Sequence, residues 1–308
     1  MFSYRHAFHA GNHADVLKHL TLIGALRHVM RKPGPVTLVD THAGAGSYKF
    51  SSNMTVLSGE AEAGVLRLLA APADVAADAD DLLADYRALL AAFNPQGPAA
   101  GRLTIYPGSP LVMHHYMTQP ERLGRDRLHL YELHPTDSRA LLALAAKLPS
   151  RRRVHAERAD GFAALRALLP PPAGSDGSRR ALALIDPSYE IKSDYANVEE
   201  ALQDALKRFA TGVYLVWYPI IGRMQAHQLP RRLKTLARQA GRGWLHATLN
   251  VGHAEPLPGA TARGLSASGM FVVNPPYPLA DVLRAALPRV LAALGQGPGQ
   301  GWLVETEE

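Results

Sequence analysis

The sequence predicts an α/β protein built around a doubly wound, mostly parallel β-sheet with an antiparallel pair of strands at its end. Short apolar runs alternate along the chain with segments whose apolar residues recur at helical spacing, which is typical of parallel sheets. The first such run, Val36 to Val39, leads into a turn that contains Gly44 and Gly46. Acidic residues follow several runs, at the sheet edge where open α/β proteins bind their ligands.

The composition fits one large α/β domain with room for an inserted subdomain. The chain has 308 residues, 47% apolar and 19% charged, so it is not a disordered chain. It has no cysteine, which excludes disulfides and cysteine-based zinc sites. We expect a cytoplasmic protein, because no apolar run approaches the roughly 20 residues of a membrane span and the polar N-terminus contains no signal core. The net charge of +6 and pI of about 9.6 favour a nucleic-acid partner.

The N-terminal residues 1–11 interleave aromatic and basic side chains, among them Tyr4. This pattern suits base stacking and phosphate pairing, and it also suits an ordered arm packed on the domain. A predicted helix with one apolar stripe follows, and its Lys18 and His19 are either solvated or positioned over the glycine-rich turn. Three histidines of this region, His6, His9 and His13, could in principle meet a metal, but no metal is expected because the sequence shows no pattern of acids or of supporting polar residues that is typical of a metal site.

The glycine-rich turn runs from Asp40 to Gly46 (DTHAGAG) and allows four interpretations. A dinucleotide fingerprint needs a third glycine where the chain has Lys49, and a phosphate loop needs a Gly-Lys-Ser/Thr run that is absent. A structural turn without a ligand is the third interpretation. The fourth is the S-adenosylmethionine (SAM) loop of adenine-N6 methyltransferases, Asp-x-aromatic-x-Gly-x-Gly, with His42 in the aromatic place.

Residues 51–101 are predicted to form a small helical insertion, because connections between a strand and a helix are normally only a few residues long. The main domain then consists of residues 1–50 and 102–308. The insertion carries two predicted helices between residues 58 and 93. Its aspartates are expected to form a face that points away from any RNA.

The remaining elements alternate as far as the C-terminus. Short apolar runs lie at 103–106 and, near the C-terminus, at 302–304. Predicted strands lie at 128–133, around Val154, at 181–185 and 213–217, and the final antiparallel pair lies at 244–251 and 270–273. Predicted helices lie at 136–148, 162–169, 195–209, 225–240 and 279–294.

Three acids, Asp40, Glu132 and Asp160, lie at or just past the ends of successive predicted strands. In a doubly wound sheet these ends line one crevice, where a carboxylate after the second strand can hold the two hydroxyls of a ribose. Asp160 and Gly161 could meet the adenine ring of a bound nucleoside. Each acid alone is more often a cap or a turn residue, so the ordered set favours a nucleoside site.

The tetrad Asp186-Pro187-Ser188-Tyr189 follows the fourth strand. An exocyclic amine is a poor nucleophile, because its lone pair is delocalised into the ring. The Asp186 carboxylate and the Pro187 carbonyl could both accept from the amine, favour a pyramidal nitrogen and receive the proton. Tyr189 could offer a face on which a flipped base stacks.

A second tetrad, Asn274 to Tyr277 (NPPY), is a better literal match to amine methyltransferases. It follows the last predicted strands, whereas the strand beside the glycine-rich turn should be the fourth, which ends at Asp186. We therefore assign the chemistry to Asp186 and a turn to residues 274–277.

Six stretches together resemble the RlmJ family of bacterial 23S rRNA adenine-N6 methyltransferases. They are Ser3 to His19, Asp40 to Gly46, Tyr106 to Pro110 (YPGSP), Glu132 to Pro135 (ELHP), Lys207 to Gly212 (KRFATG) and Trp217 to Pro219 (WYP). The resemblance runs from end to end. It is specific, because methyltransferases in general do not share the N-terminal segment.

The resemblance implies a Rossmann-like, SAM-dependent methyltransferase domain with a helical subdomain inserted after the first strand. It implies a catalytic carboxylate at Asp186, an RNA contact at Tyr4, and one adenine of protein-free 23S rRNA as substrate. SAM contacts are implied at Lys18, His19, His42, Ser109, Glu132, Asp160 and Gly161. We expect a monomer without an obligatory protein partner or a membrane partner.

One position departs from the family, whose tetrad is usually Asp-Pro-Pro-Tyr, because Ser188 replaces the second proline. The loss of a fixed φ is expected to loosen the turn and leave the reaction type unchanged. Two alternatives stay open at the level of sequence. One is another amine methyltransferase, acting on DNA adenine or protein glutamine, and the other is a non-catalytic RNA-binding relative.

Overall fold

The structure, a computed structural model, describes residues 6–50, 59–72, 81–95, 103–122, 124–174, 177, 179–252 and 264–307. Its strands are β1 (Thr37–Asp40), β2 (Ser47–Lys49), β3 (Ile105–Pro107), β4 (Arg127–Tyr131), β5 (Val154–Glu157), β6 (Ala181–Ile185), β7 (Val213–Pro219), β8 (Trp244–Asn250), β9 (Ala267–Val273) and β10 (Gly301–Thr306). Within these residues, one eight-stranded sheet has the order β10-β8-β9-β7-β6-β1-β4-β5, and β2 pairs with β3 separately. The predicted α/β fold is confirmed.

The helices are α1 (His13–Arg31), α2 (Arg67–Ala70), α3 (Leu82–Ala92), α4 (Ser109–Met117), α5 (Pro135–Ala145), α6 (Gly161–Leu168), α7 (Ser193–Arg208), α8 (Met224–Gln239) and α9 (Leu279–Leu294). A π-helical turn, Glu62–Leu66, leads into α2. The helices cover both faces of the sheet, and the central strands β1 and β6 are therefore buried along their whole length. None of the described helices is long and apolar enough to cross a membrane.

The antiparallel part of the sheet is larger than the predicted final pair. Strand β9 lies between β7 and β8 and is antiparallel to both. Strand β10, which the sequence indicated only as a closing apolar run, pairs with β8 and forms the outer edge. Its pattern is weak because Trp302 and Leu303 are 38% and 45% exposed, so burial did not constrain their side chains.

The described helices within the predicted insertion, residues 51–101, pack against the rest of the chain. The apolar stripe of α3, including Tyr86 and Leu90, belongs to the same hydrophobic cluster as α1 and the central strands. Two of the insertion's acids face basic residues of the main domain, since Asp81 binds Arg289 at 2.9 Å and Asp85 binds Arg27 at 2.7 Å. The other acids of the predicted acidic face, residues 74, 78 and 80, lie outside the described residues.

Helix α1 is buried on almost all sides, although its sequence predicts a single apolar stripe. Helices α3, α4 and α9 pack around it. At Gly24 an added Cβ would lie 2.7 Å from Leu279 of α9, so a side chain there would separate the two helices. The polar residues of α1 are therefore buried as well, and Lys18 and His19 are 4% and 1% exposed. Of the two positions considered for Lys18 and His19, the solvated one is therefore excluded.

Candidate functional site

A cleft of about 410 Å³ opens at the carboxyl edge of the parallel strands. The strand register explains its position, because Asp40 at the end of β1 lies beside Leu130 of β4 and Leu184 of β6. Two residues further along those neighbouring strands are Glu132 and Asp186. The sheet therefore brings the glycine-rich turn and the two predicted acids to one edge.

The glycine-rich turn and Glu132 are joined by the backbone. The amide of Gly44, whose φ is +57°, donates to Glu132 Oε2 at 2.8 Å. The amide of His134 donates to Glu132 Oε1 at 2.7 Å. Burial raises the pKa of Glu132, and the two amides oppose that rise by stabilising the carboxylate. Each carboxylate oxygen keeps a lone pair for a ligand hydroxyl.

The opposite end of the turn contacts the start of α6. The side chain of Asp160 caps this helix by accepting from the Phe162 amide at 2.9 Å, and the Phe162 ring lies edge-on to His42 at 4.8 Å. An added Cβ at Gly161 would lie 1.8 Å from the carbonyl oxygen of Thr41, so only glycine allows this approach. Burial lowers the pKa of His42 to about 4, which keeps the imidazole neutral near pH 7.

Asp40 lies beneath the turn with no exposed surface. Its Oδ1 accepts from the His42 amide at 3.3 Å. Burial is the main reason why the pKa of Asp40 rises to about 7. A hydrogen bond with the hydroxyl of Ser109, a buried residue at the start of α4, opposes that rise. Ser109 therefore supports the floor of the cleft.

A chain of charged groups connects the N-terminal segment to Asp186. The Lys18 Nζ donates to Asp186 Oδ2 at 2.7 Å and to Asp15 Oδ1 at 2.8 Å. The other oxygen of Asp15 bonds to His6 Nε2 at 3.0 Å and to the Gly11 amide at 2.9 Å. Lys18 thus touches the predicted catalytic acid rather than the glycine-rich turn.

Burial and charge act against each other in this chain. Burial raises the pKa of Asp186, and Lys18 opposes the rise. Burial also acts to raise the pKa of Asp15, but His6 and Lys18 outweigh it and hold that pKa well below its ordinary value. His19 lies on the next position of α1, with its Nδ1 bonded to the Tyr106 hydroxyl at 2.9 Å, and burial lowers its pKa to about 3.

The turn after Asp186 differs from the prediction at Tyr189. This ring was expected to offer a stacking face, yet it is 2% exposed and packs between Tyr195 and Trp217. Its hydroxyl donates to the Trp217 carbonyl at 2.7 Å, and its φ is +54°. Apolar packing therefore holds Tyr189 under the turn, where it fixes the path of Pro187 and Ser188.

Some residues of the site carried no clear sequence signal. Arg223, which precedes α8, donates to the Tyr189 carbonyl at 2.7 Å and so anchors the tetrad from a distant segment. The rings of His6 and Tyr48 line the cleft with centroids 5.2 Å apart. Tyr4, the predicted RNA contact, lies outside the described residues. The three N-terminal histidines do not converge, since His9 binds Glu60 and His13 binds the Leu265 carbonyl.

The second tetrad lies away from the cleft. Strand β9 runs antiparallel to β7, with Val273 opposite Tyr214, so its carboxyl end is at the opposite edge of the sheet. There the Asn274 amide group donates to the carbonyls of Ala210 and Gly212 at 2.8 and 2.7 Å. Residues 274–277 thus connect β9 to α9 at that edge, away from the cleft.

The cleft has the features that a nucleoside cofactor with a cationic sulfonium requires. Backbone approaches too close for a Cβ form part of its floor, and Glu132, fixed by backbone amides, lines it at the end of β4, where a carboxylate can hold ribose hydroxyls. Acids predominate among its charged lining residues, which are Glu132, Asp137, Asp160, Asp186, Glu190, Asp194 and Lys18. These residues therefore fit S-adenosylmethionine.

Comparisons with known proteins agree with this geometry. A family model described as ribosomal RNA large subunit methyltransferase D, RlmJ, matches residues 33–305. Ribosomal RNA large subunit methyltransferase J of Escherichia coli is 40% identical, over 94% of this chain and 92% of that protein. The protein of the same name in Haemophilus influenzae is 36% identical, over 99% of this chain and 98% of that protein. A Legionella pneumophila crystal structure superposes with a TM-score of 0.76 at 30% identity, covering 96% of this chain and 98% of that chain. The chain therefore belongs to the RlmJ family of ribosomal RNA large subunit methyltransferases.

Proposed function

We propose that this protein transfers a methyl group from SAM to the exocyclic N6 of a single adenine in 23S rRNA. The observation that carries the proposal is the common cleft of Glu132 and Asp186, with the glycine-rich turn between them. Family membership supports the ribosomal substrate, because the two curated relatives are named as large-subunit rRNA methyltransferases. The proposal places the protein in the cytoplasm as a monomer without an obligatory protein partner.

Bound SAM would supply an electrophilic methyl group on a positively charged sulphur; the bond from that sulphur to the methyl carbon breaks on transfer, and S-adenosylhomocysteine is the product. Glu132 would hold the ribose hydroxyls, since its carboxylate is fixed by two amides and points into the cleft. Asp160, Gly161 and Phe162 would hold the adenine end at the start of α6. Lys18, His19 and Ser109 would act from behind this surface, because all three are buried and bind other residues of the site.

Asp186 and the Pro187 carbonyl would accept the two hydrogens of the adenine amino group. Lys18 donates to Asp186 Oδ2, which leaves Oδ1 for the amino group. Two acceptors favour a pyramidal nitrogen, whose lone pair can form the new bond to carbon. The carboxylate then receives the N6 proton, and burial assists this step because it raises the pKa of Asp186.

The buried ring of Tyr189 changes the predicted division of roles. In the described conformation it would position Pro187 and Asp186 through its bond to the Trp217 carbonyl. The faces available to a flipped base in this cleft belong to other side chains, among them Ile191, which is 61% exposed. Tyr4 remains the proposed RNA contact of the N-terminal segment.

Transfer of labelled methyl from SAM to protein-free 23S rRNA tests the proposal. Wild type should yield N6-methyladenosine at one site by mass spectrometry, and Asp186→Asn should abolish transfer while it still binds SAM. Asp281→Asn makes the same change at an exposed position of α9 and should retain full activity. No transfer to rRNA by a folded wild type that binds SAM would refute the proposal. Transfer to DNA or to a protein glutamine would instead identify a different amine methyltransferase.

A further inference from the structure

The edge of the sheet opposite the cleft is strongly basic. The amino ends of β5, β4 and β6 align there, because Leu128 lies beside Val154 and Thr37 lies beside both Arg127 and Ala181. Basic residues occupy these strand starts and the turns next to them. We call this set the basic edge; it consists of Arg31, Lys32, Arg125, Arg127, Arg151, Arg152, Arg153, Arg179 and Arg180.

Hydrogen bonds to the backbone hold the basic edge together as one surface. Arg125 and Arg180 donate to carbonyls of the turn that follows α1, at Pro33 and Gly34, with distances of 3.1 and 2.9 Å. Arg153 donates to the Asp126 carbonyl at 3.3 Å. These bonds position guanidinium groups without neutralising their charge, because a carbonyl carries no net charge.

Acids are nearly absent from the basic edge within the described part of the chain. Asp126 is fully buried and is paired with the buried Arg122. Glu121 is the described acid that lies exposed nearby. The basic helix α8 differs, since its Arg232 and Arg238 are bonded to Glu199 and Glu307. Among the described residues, exposed arginines such as Arg127 and Arg152 therefore cluster on this edge with few acids beside them.

We infer that the basic edge binds the phosphate backbone of RNA that flanks the target adenine, a second RNA-contact surface apart from the cleft. The inference rests on the proposed function. The cleft itself is lined mostly by carboxylates, which repel phosphates, so most phosphate contacts must lie elsewhere. The basic edge is one strand length away, since Arg127 and Glu132 are separated by about 17 Å at ~3.3 Å per residue.

The chemistry of the basic edge favours nucleic acid over a protein partner. Eight of its nine residues are arginines, whose planar guanidinium pairs with two phosphate oxygens at once. A protein interface would need buried apolar or aromatic anchors. The large exposed apolar residues of the described chain lie outside this set: Leu133, Leu142, Ile191, Met224, Tyr277, Trp302 and Leu303.

Equilibrium binding at several salt concentrations tests the inference. The probes are protein-free 23S rRNA and an adenine-containing trinucleotide, a short oligonucleotide that cannot reach from the cleft to the basic edge about 17 Å away. Arg127→Gln/Arg152→Gln removes two exposed charges of the basic edge. The control Arg232→Gln/Arg238→Gln makes the same formal change on α8, where the arginines are paired.

The basic-edge variant should bind 23S rRNA roughly tenfold more weakly than the control near 0.1 M salt, with the slope of log K against log salt smaller by about two. Its affinity for the short oligonucleotide should equal that of the control. Equal affinity and equal slope of both variants for 23S rRNA would overturn the inference and leave the edge to an acidic protein. Because binding is measured without turnover, a failure of methyl transfer would be recognised separately.

Discussion

Replacement of Lys18 by methionine should strongly destabilise the protein and should do so in a pH-dependent way. Lys18 lies between the carboxylates of Asp15 and Asp186, whose side chains are only 3% and 11% exposed. Methionine has a similar length and no charge, so the variant leaves two buried carboxylates without their shared cation.

The size of the effect follows from the two distances. At an effective dielectric constant of ~20, unit charges separated by about 2.7 Å attract each other by roughly 6 kcal/mol. The wild-type lysine must be desolvated, which offsets part of this attraction. Removal of one partner from a buried pair typically costs about 3–5 kcal/mol, and we expect about 4 kcal/mol for Lys18→Met near pH 7.

The pH dependence gives a second readout. In the wild type, the lowered pKa of Asp15 contributes stability that is lost as pH falls through it. In Lys18→Met, Asp15 keeps its bond to His6, but Asp186 loses its cationic partner and burial raises its pKa further, so the folded state binds a proton at Asp186 more readily than the unfolded state. The difference in unfolding free energy between wild type and Lys18→Met should therefore become smaller as the pH falls from about 8 to about 5.

Urea unfolding of wild type and Lys18→Met across this pH range measures both quantities. Lys207→Met is the matched control, because Lys207 is exposed on α7, and it should change the unfolding free energy by less than about 0.5 kcal/mol. If Lys18→Met lost no more stability than the control, or if its deficit did not change with pH, Lys18 would not be the counter-ion that the geometry indicates.

Three further outcomes are expected. Gly161→Ala should cost about 2 kcal/mol or more and weaken SAM binding in calorimetry, because its Cβ would meet Thr41, whereas Gly243→Ala, with open space around it, should behave like wild type. Ser188→Pro should keep methyl-transfer activity, and a folded but inactive Ser188→Pro protein would contradict the assigned roles of its neighbours. The pKa of Asp40 is raised to about 7, so the folded state holds this proton more tightly than the unfolded state and the stability of the wild type should fall as the pH rises toward 7. Asp40→Asn should remove this contribution, which melting temperatures measured at several pH values would show.

Much of the fold and of the cleft could be predicted because each central strand is recognisable as a short apolar run in the sequence. The wholly buried run at β6 and the acid directly after its end, Asp186, needed no knowledge of distant residues. The choice between two similar tetrads also followed from strand order, and the direction of β9 explains why residues 274–277 lie at the other edge. The weakly patterned β10 was not predicted as an edge strand, because its half-exposed side chains do not alternate between water and core.

The environment of each side chain could not be predicted in this way. Tyr189 in sequence is an aromatic residue beside a catalytic motif, and only the packing of Tyr195 and Trp217 shows that its ring is covered. Arg223 reaches the tetrad from another segment, so no spacing within the motif could have identified it.

The sequence by itself determined the alternation of strands and helices, the glycine-rich turn and the order of acids at strand ends, because these depend on periodicity and on neighbours along the chain. The tertiary structure alone decided which charges are compensated. Lys18 lies buried between two carboxylates because α3, α4 and α9, which come from separate parts of the sequence, pack around α1. The basic edge exists because parallel strands, distant in sequence, all begin at one side of the sheet.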